Sequence, residues 1–416
     1  MGRAGRLLIA AALAVAVGGW TQPQQLETGR VASAAIQGDG HGHRVAAWST
    51  DPGLRVAVAD KGRDFGPPQM MSTGDHVGFF RLVVNAHGDA LVAWQIEVPG
   101  PPIPETTETC CTVVRAALVT RDGRITRPVT LSDSSIDSYE DVGVAAGSRG
   151  RFYVVWSLTA QTTRYGRVAS VRRGFGPLER VRGLGRISSI TADRTRFRVQ
   201  GRSESRELQE TARSPGGRWS KPVSLLGRRR VMDAAFAADA RGRQVAIWVP
   251  QGSPVRLGTR KPPGPLERAL PFPIGAFPGL PVVARSGAAV VVSTRPVAHE
   301  TGGRRLIDEE LHVTMRRPGG RFRPFELVYR SSSLNGAVGP AVAPDGAVAI
   351  GVTEGEYPSY ESRVVLVRPG GGVRSADLVA PGTDRRLQSV VADSHGAAAL
   401  LTDRDVHSGL WAVRSH

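Results

Sequence analysis

Short apolar runs follow one another along the chain, and a glycine-containing turn closes each of them. The second copy of this pattern places strands at 81–85, 90–94, 113–120 and 125–131. His87-Gly88 and Asp122-Gly123 lie between strands, where such pairs favour the positive φ angles of tight hairpins. Each copy predicts four short antiparallel strands, so the chain is predicted to be all-β.

The first turn of nearly every copy contains a glycine at an equivalent position. These positions are Gly42, Gly88, Gly150, Gly242, Gly287, Gly346 and Gly396, with Thr195 in the fourth copy. A period of about 40–50 residues with four strands per unit is typical of a β-propeller blade. Because each blade buries its faces against its neighbours, residues 17–416 are predicted to form one domain.

The two ends of the chain supply complementary parts of one further blade. Gly18 to Pro23 is similar to the fourth strand of copy four, Gly216 to Pro222. The C-terminal region supplies first, second and third strands at 387–392, 397–401 and 410–413. We therefore expect eight four-stranded blades closed by the N-terminal strand, since closure removes open sheet edges. The number is seven if the polar fourth copy is not a blade.

Four tryptophans occupy one repeated position, six residues after the turn glycine. They are Trp48, Trp94, Trp156 and Trp248. Because valine and alanine flank them, we expect these rings to be buried between adjacent blades rather than exposed for stacking on a sugar.

The first residues have the form of a secretory signal peptide. Arg3 and Arg6 precede an apolar stretch at 7–15, and Ala14-Val15-Ala16 is a cleavage site of the A-x-A type. The stretch is shorter than the roughly 20 residues needed to span a bilayer. Residues 1–16 are therefore predicted to be removed, which gives a secreted or cell-surface protein without an integral membrane segment. An uncleaved anchor is the alternative.

The chain is strongly basic, with 54 Lys and Arg against 37 Asp and Glu and a net charge of +17. Such a charge could attract nucleic acid, anionic polymers or a membrane surface. The arginines are scattered, with short clusters at Arg228-Arg229-Arg230 and Arg304-Arg305, and no nucleic-acid-binding motif accompanies them. We interpret them as a solvated basic surface and predict a monomer that does not bind nucleic acid.

The long connections are acidic despite this basic balance. They are the segments 97–111, 295–310 and 354–362 and the link 132–141, all expected on one face of the propeller. The predicted ligand-binding residues are Glu97, Cys110, Cys111, Asp137, Tyr139, Glu140, Glu354, Glu356, Tyr357 and Tyr360. Carboxylates and tyrosines suit a cationic or hydroxyl-rich ligand, and carboxylate oxygens suit Ca²⁺. No other metal or cofactor is expected, and solvated loop tips are the alternative.

Cys110 and Cys111 are the two cysteines of the chain, and they are adjacent at the end of the longest loop. Adjacent cysteines can form a strained disulfide ring, which would mark a functional site. A pair of free thiols and an intermolecular bridge are the alternatives.

The repeat resembles secreted bacterial β-propeller proteins of the sialidase/BNR-like or WD40-like group. The Asp-box of sialidases, S-x-D-x-G-x-T-W, does not occur, so the resemblance assigns no catalytic residue. Eight blades and adjacent cysteines are also similar to quinoprotein dehydrogenases, but the Trp motif of those blades is absent.

No nucleophile elbow, metal-binding helix motif, P-loop or dinucleotide fingerprint occurs. We therefore predict an exported, non-catalytic propeller that binds an extracellular protein or glycan through its acidic loops. The alternatives are a glycoside hydrolase or lyase with carboxylates at the central pore and a quinone-dependent oxidoreductase.

Overall fold

The protein is described by a computed structural model that covers most of the chain after the predicted signal peptide. The described residues are 20–98, 111–132, 142–157, 164–181, 183–273, 275–301, 304–355, 361–369, 372–379, 385–393, 396–403 and 408–415. Every regular element in these ranges is a β-strand, which confirms the all-β prediction. Nothing in them forms a helix that could cross a bilayer.

The strands are numbered β1 to β33 along the chain. Strands β1 to β4 are Gln24–Gly38, Arg44–Thr50, Gly53–Ala59 and Gln69–Thr73. Sheet 2 contains β5 to β8, which are Val77–Val84, Ala90–Val98, Cys111–Val119 and Val129–Thr130. Sheet 3 contains β9 to β13, which are Gly143–Ala146, Arg151–Ser157, Arg164–Ser170, Gly174–Phe175 and Glu179–Val181. Sheet 4 contains β14 to β17, which are Arg186–Ala192, Phe197–Arg202, Leu208–Arg213 and Val223–Ser224.

The second half of the chain continues the same order. Sheet 5 contains β18 to β21, which are Val231–Ala238, Gln244–Pro250, Arg256–Arg260 and Glu267–Pro271. Sheet 6 contains β22 to β26, which are Phe277–Pro278, Val282–Val283, Ala289–Thr301, Arg304–Arg316 and Glu326–Ser331. Sheet 7 contains β27 to β30, which are Leu334–Val342, Val348–Glu354, Glu361–Val367 and Val373–Leu378. The last strands, β31 to β33, are Arg385–Asp393, Gly396–Asp403 and Ser408–Arg414.

Strand β1 joins the two ends of the described chain. Its first residues pair with β33, from Gln24 opposite Ala412 onward, and its later residues pair with β2. The strands therefore form one seven-stranded sheet in the order β31-β32-β33-β1-β2-β3-β4, here called the terminal sheet. The Thr21 amide also donates to the Arg414 carbonyl at 2.8 Å, which extends the pairing beyond β1.

The turn between the first two strands of a sheet explains the repeated glycine. Gly88 and Gly242 have φ angles of 84° and 79°, which side chains disfavour. Three residues before Gly88, the Asn85 side-chain oxygen accepts hydrogen bonds from the His87 and Asp89 amides. Such a cap stabilises the turn locally.

Sheet 4, the polar fourth copy, has four strands but a different first turn. The Asp193 amide donates to the Arg196 carbonyl, whereas in β1 and β2 the Asp39 amide donates to the His43 carbonyl four residues on. The turn is one residue shorter, and Thr195 lies in it without a glycine. This difference in length accounts for Thr195 in place of the glycine in the fourth copy.

Consecutive sheets pack face to face around apolar clusters. Trp48, Trp94 and Trp156 are almost wholly inaccessible, and Trp248 is 6% exposed. Trp94 of sheet 2 packs with Val45 and other residues of the terminal sheet. The predicted burial of the four tryptophans is confirmed, so these rings belong to the scaffold.

The junction between sheets 4 and 5 contains a buried polar network beside its apolar cluster. Buried Glu210 accepts hydrogen bonds of 2.9–3.0 Å from Arg198, Gln200 and Gln244. The Arg260 guanidinium lies 3.4 Å from the same carboxylate, and burial lowers the pKa of Arg260. Since buried charges require compensating partners, these side chains form one interdependent network.

Candidate functional site

Three of the predicted ligand-binding residues lie in described strands. Glu97 is exposed near the end of β6, and its neighbour Val98 pairs with Cys111 at the start of β7. Glu354 ends β28 in a different sheet. The remaining predicted residues are outside the described part of the chain: Cys110, Asp137, Tyr139, Glu140, Glu356, Tyr357 and Tyr360.

Glu354 is held by neighbouring side chains. The Arg363 guanidinium donates to its carboxylate at 2.8 Å. Burial favours a raised pKa for Glu354, but hydrogen bonds from Ser331, Tyr329 and Arg363 outweigh it and hold the pKa below its usual range. Burial, reinforced by the Glu354 carboxylate, raises the pKa of Tyr329. The carboxylate therefore joins sheets 6 and 7.

The expected loop at 295–310 is a regular hairpin instead. Strands β24 and β25 remain paired from Ala289 opposite Arg316 to Thr301 opposite Arg304. Arg295 lies directly opposite Glu310 in the segment predicted to be a loop. Opposite charges across a sheet favour strand pairing, so the ladder continues through this segment.

Glu310 in this hairpin is surrounded by three basic side chains. Arg295 and His312 lie 2.6 and 2.8 Å from its carboxylate, and Arg330 also donates to it. Although burial opposes ionisation, hydrogen bonds from His312, Arg295 and Arg330 lower the pKa of Glu310 to about 2. The charge of Glu310, which the sequence places in a long acidic loop, is thus compensated by basic side chains of the protein itself.

A basic residue recurs on the third strand, directly opposite the tryptophan position. Arg115 pairs with Trp94, and its guanidinium contacts both Asp75 carboxylate oxygens at 2.8 and 3.0 Å. In the terminal sheet Arg55 lies opposite Trp48 and 3.0 Å from Glu27. In sheet 7 Arg363 lies opposite Val352, which occupies the tryptophan position, and 2.8 Å from Glu354. In each case the guanidinium forms an ion pair with an acid, which is Glu27 in β1, Asp75 before β5 or Glu354 at the end of β28.

Sheet 5 has the arginine but not the acid. Arg256 pairs with Trp248, as Arg115 pairs with Trp94. Asp75 lies two residues before Val77, the first residue of β5, and the position two residues before Val231 is Arg229. None of the described residues forms an ion pair with Arg229, Arg230 or Arg256.

The result is an open, basic cavity of about 550 Å³, here called the arginine pocket. It is lined by Leu226, Arg229, Arg230, Val231, Trp248, Pro250, Gln251, Ser253, Arg256 and Leu266. Arg229 and Arg230 are exposed, Arg256 is half-buried, and Trp248 lies deeper. Three guanidinium groups above apolar walls provide directional donors suited to an oxyanion.

In the sequence, Arg228-Arg229-Arg230 is a short basic cluster without a motif, which predicts solvated surface. The informative signal is their distance from the next inner strand, which matches that of Asp75 from Val77. Loops of unequal length separate Arg256 and Arg115 from their tryptophans, so the equivalence of the arginines is visible only in the strand register.

A second cavity, of about 490 Å³, lies at the opposite, turn end of the inner strands and contains Asp193 and Asp239. Asp193 accepts hydrogen bonds from the amides of Thr195 and Arg196. Asp239 likewise caps its own turn and bonds Arg243 at 2.7 Å. These carboxylates stabilise turns. Among the described residues no group of three or more His, Cys, Asp or Glu side chains is arranged to hold a metal.

Comparison with solved structures identifies the fold. The BP39L lectin from Burkholderia pseudomallei matches with a TM-score of 0.54 and 10% identity, over 85% of this chain and 100% of the lectin. The WD40 domain of SCAP from fission yeast matches with a TM-score of 0.51 and 8% identity, over 95% of this chain and 97% of that domain. No protein-family model and no curated protein match the sequence. The chain therefore has a β-propeller fold, and the likeness extends to the fold alone.

Proposed function

We propose that the chain is an exported, single-domain, eight-bladed propeller that binds an extracellular protein or glycan without catalysis. The blade number is supported by six sheets of four or five strands and by the terminal sheet. In this proposal the terminal sheet contributes two blades, and β1 belongs to both, which is how the N-terminal strand would close the ring.

The binding site is proposed on the face that carries the links between blades and the connections between second and third strands. One observation carries this proposal: basic side chains on this face are closed by acids at Asp75, Glu310 and Glu354, but the arginine pocket is open. A structural role would satisfy all of these groups in the same way. A concave site on a rigid scaffold favours ligand binding.

Export is proposed from the sequence of residues 1–16. Expression of the full chain in a secreting bacterial host, followed by N-terminal sequencing of protein in the medium, tests it. The expected product begins at Val17. A product that retains Met1 and stays with the membrane contradicts cleavage.

A glycan array probed with residues 17–416 tests binding, and product analysis of the bound glycans tests for turnover. We expect selective retention of a subset of glycans with no cleavage. Glycosidic cleavage, or retention of none of the glycans and none of a panel of purified secreted proteins, contradicts the proposal.

Two variants distinguish the acidic loops from the arginine pocket as the binding site. The double variant Glu354→Gln, Glu356→Gln removes acids of one predicted loop, and Arg256→Gln removes the half-buried donor of the pocket. Loss of binding in the first variant alone assigns the contact to the acidic loops. Unchanged binding in it removes those two residues from the site.

A further inference from the structure

We propose that the arginine pocket recognises an acidic saccharide, with its oxyanion held by Arg229, Arg230 and Arg256 and its sugar ring packed on the apolar wall. The assignment rests on the proposed binding function and names its ligand class. It depends on the cavity between sheets 4 and 5 and on the missing acid there, not on the overall charge.

The donor set favours an oxyanion. All three cations of the pocket are arginines, whose planar guanidinium groups form paired hydrogen bonds with carboxylate, sulfate or phosphate oxygens. The equivalent Arg115 in sheet 2 uses one of its nitrogens to contact both oxygens of the Asp75 carboxylate. Asp75 is therefore an internal example of the group that the sheet 5 position lacks.

The walls favour more than a bare ion. Leu226 and Leu266 are half-buried beside the arginines, and Pro250 and the indole of Trp248 complete the apolar side. The volume of about 550 Å³ falls within the roughly 300–1,000 Å³ of small-molecule pockets. An inorganic anion would leave this apolar surface uncovered, whereas a sugar ring bearing an acid group would contact both parts.

A polymer of acidic sugars also suits the rest of the protein. The net charge of +17 would raise the concentration of a polyanion near the surface. The pocket would then add specific binding of one sugar residue to this non-specific electrostatic attraction. A carboxylated and a sulfated sugar share this chemistry, so both enter the experiment.

Titration calorimetry of residues 17–416 at fixed ionic strength tests the assignment. The probes are an oligogalacturonate, a sulfated oligosaccharide, a neutral oligosaccharide of equal length and inorganic phosphate. We expect saturable binding of one or both acidic oligosaccharides and at least about tenfold weaker binding of the neutral oligosaccharide and of phosphate, because each charge-assisted contact is worth about tenfold or more.

Arg229→Asp restores the acid found at the equivalent position of sheet 2 and is the decisive variant. It should pair with Arg256 and weaken binding of the acidic oligosaccharide about 10- to 100-fold. Arg218→Asp carries the same change of charge on an exposed turn away from the pocket and should change affinity less than about twofold. Arg256→Gln, which adds no negative charge, should also weaken binding, and the melting temperature of each variant shows that it is folded.

Equal losses in Arg229→Asp and Arg218→Asp would assign the binding to general charge attraction and overturn the proposal. Binding of phosphate as tight as that of the oligosaccharides would overturn the saccharide assignment. If a neutral glycan or a protein binds the loop face and Arg229→Asp leaves it unchanged, the proposed function survives and the assignment of the pocket is wrong.

Discussion

The junction between the terminal sheet and sheet 2 and the junction between sheets 4 and 5 share one strand register but contain different side chains. Gln244 precedes Trp248 by four residues, as Ala90 precedes Trp94. Their cross-strand partners are Arg260 and Val119. The first junction is apolar inside and has an ion pair at its edge, whereas the second combines an apolar cluster with a buried polar network and is open at its edge.

The difference shows that the same backbone repeat accepts either apolar or hydrogen-bonded polar side chains between neighbouring sheets. Val45, Ala47 and Val56 of the terminal sheet pack against sheet 2, and Glu210 of sheet 4 accepts a hydrogen bond from Gln244 of sheet 5. A network of buried charges is held by precise partners and tolerates little change, whereas an apolar contact depends mainly on volume. The two junctions should therefore respond differently to substitution.

The largest effect is expected from Glu210→Leu. Removing this carboxylate leaves two buried guanidinium groups and two amides without their shared acceptor, which should lower the free energy of unfolding by about 3–5 kcal/mol. Val56→Ile in the terminal sheet changes a buried apolar volume at the other junction and should cost about 1–3 kcal/mol. Denaturant unfolding measures both, and a loss below about 1 kcal/mol for Glu210→Leu would contradict the network.

Asp75→Arg converts the edge of the closed junction into the arrangement seen at sheet 5. The new arginine lies beside Arg115 without an acid, so stability should fall by about 1–3 kcal/mol. In the Arg229→Asp background it should restore part of the lost affinity for the acidic oligosaccharide. Calorimetry with that ligand measures the gain. If affinity does not recover, the residue at the position of Asp75 and Arg229 does not by itself decide whether the neighbouring arginine is available to a ligand.

A smaller effect is expected at Glu310, a closed position of sheet 6. Its pKa of about 2 lies below the value of about 4.3 for an unfolded glutamate, so its ionised form stabilises the folded state. This contribution is complete above pH 4.3 and is lost as the pH falls toward 2. Glu310→Gln should therefore flatten the loss of stability across this window. Denaturant unfolding at several pH values measures the slope, with Glu97→Gln, which changes an exposed acid, as the control.

The architecture could be predicted from sequence because it depends on a property that every copy repeats. Tryptophan six residues after a turn glycine fixes both the strand register and the buried face, and Trp94 and Trp248 obey it equally. The similarity of Gly18–Pro23 to a fourth strand led to the expectation that the two ends of the chain meet. Thr21 and Gln24 do pair with the C-terminal strand.

The candidate site could not be predicted in the same way, because it depends on an exception to the repeat. The sequence predicts acidic residues such as Glu354 as ligand contacts in loops, yet the fold places Arg363 against Glu354. Arg229 resembles ordinary basic surface in the sequence, yet it stands at the position where sheet 2 has the acid Asp75. Pairing across strands decides which charges are satisfied, and the linear sequence does not contain that information.

The pairing of β1 with β33 also has a consequence for folding during translation. The Arg414 amide donates to the Thr21 hydroxyl across 393 residues of chain, so the N-terminal segment meets its partner only after those residues have been synthesised. At the usual rate of about 5–20 residues per second, this interval is roughly 20–80 s. Throughout it the first half of β1 presents an unpaired edge to its surroundings. The N-terminal half of β1 therefore stays open to mispairing until β33 is made, whatever the stability of the sheets between them.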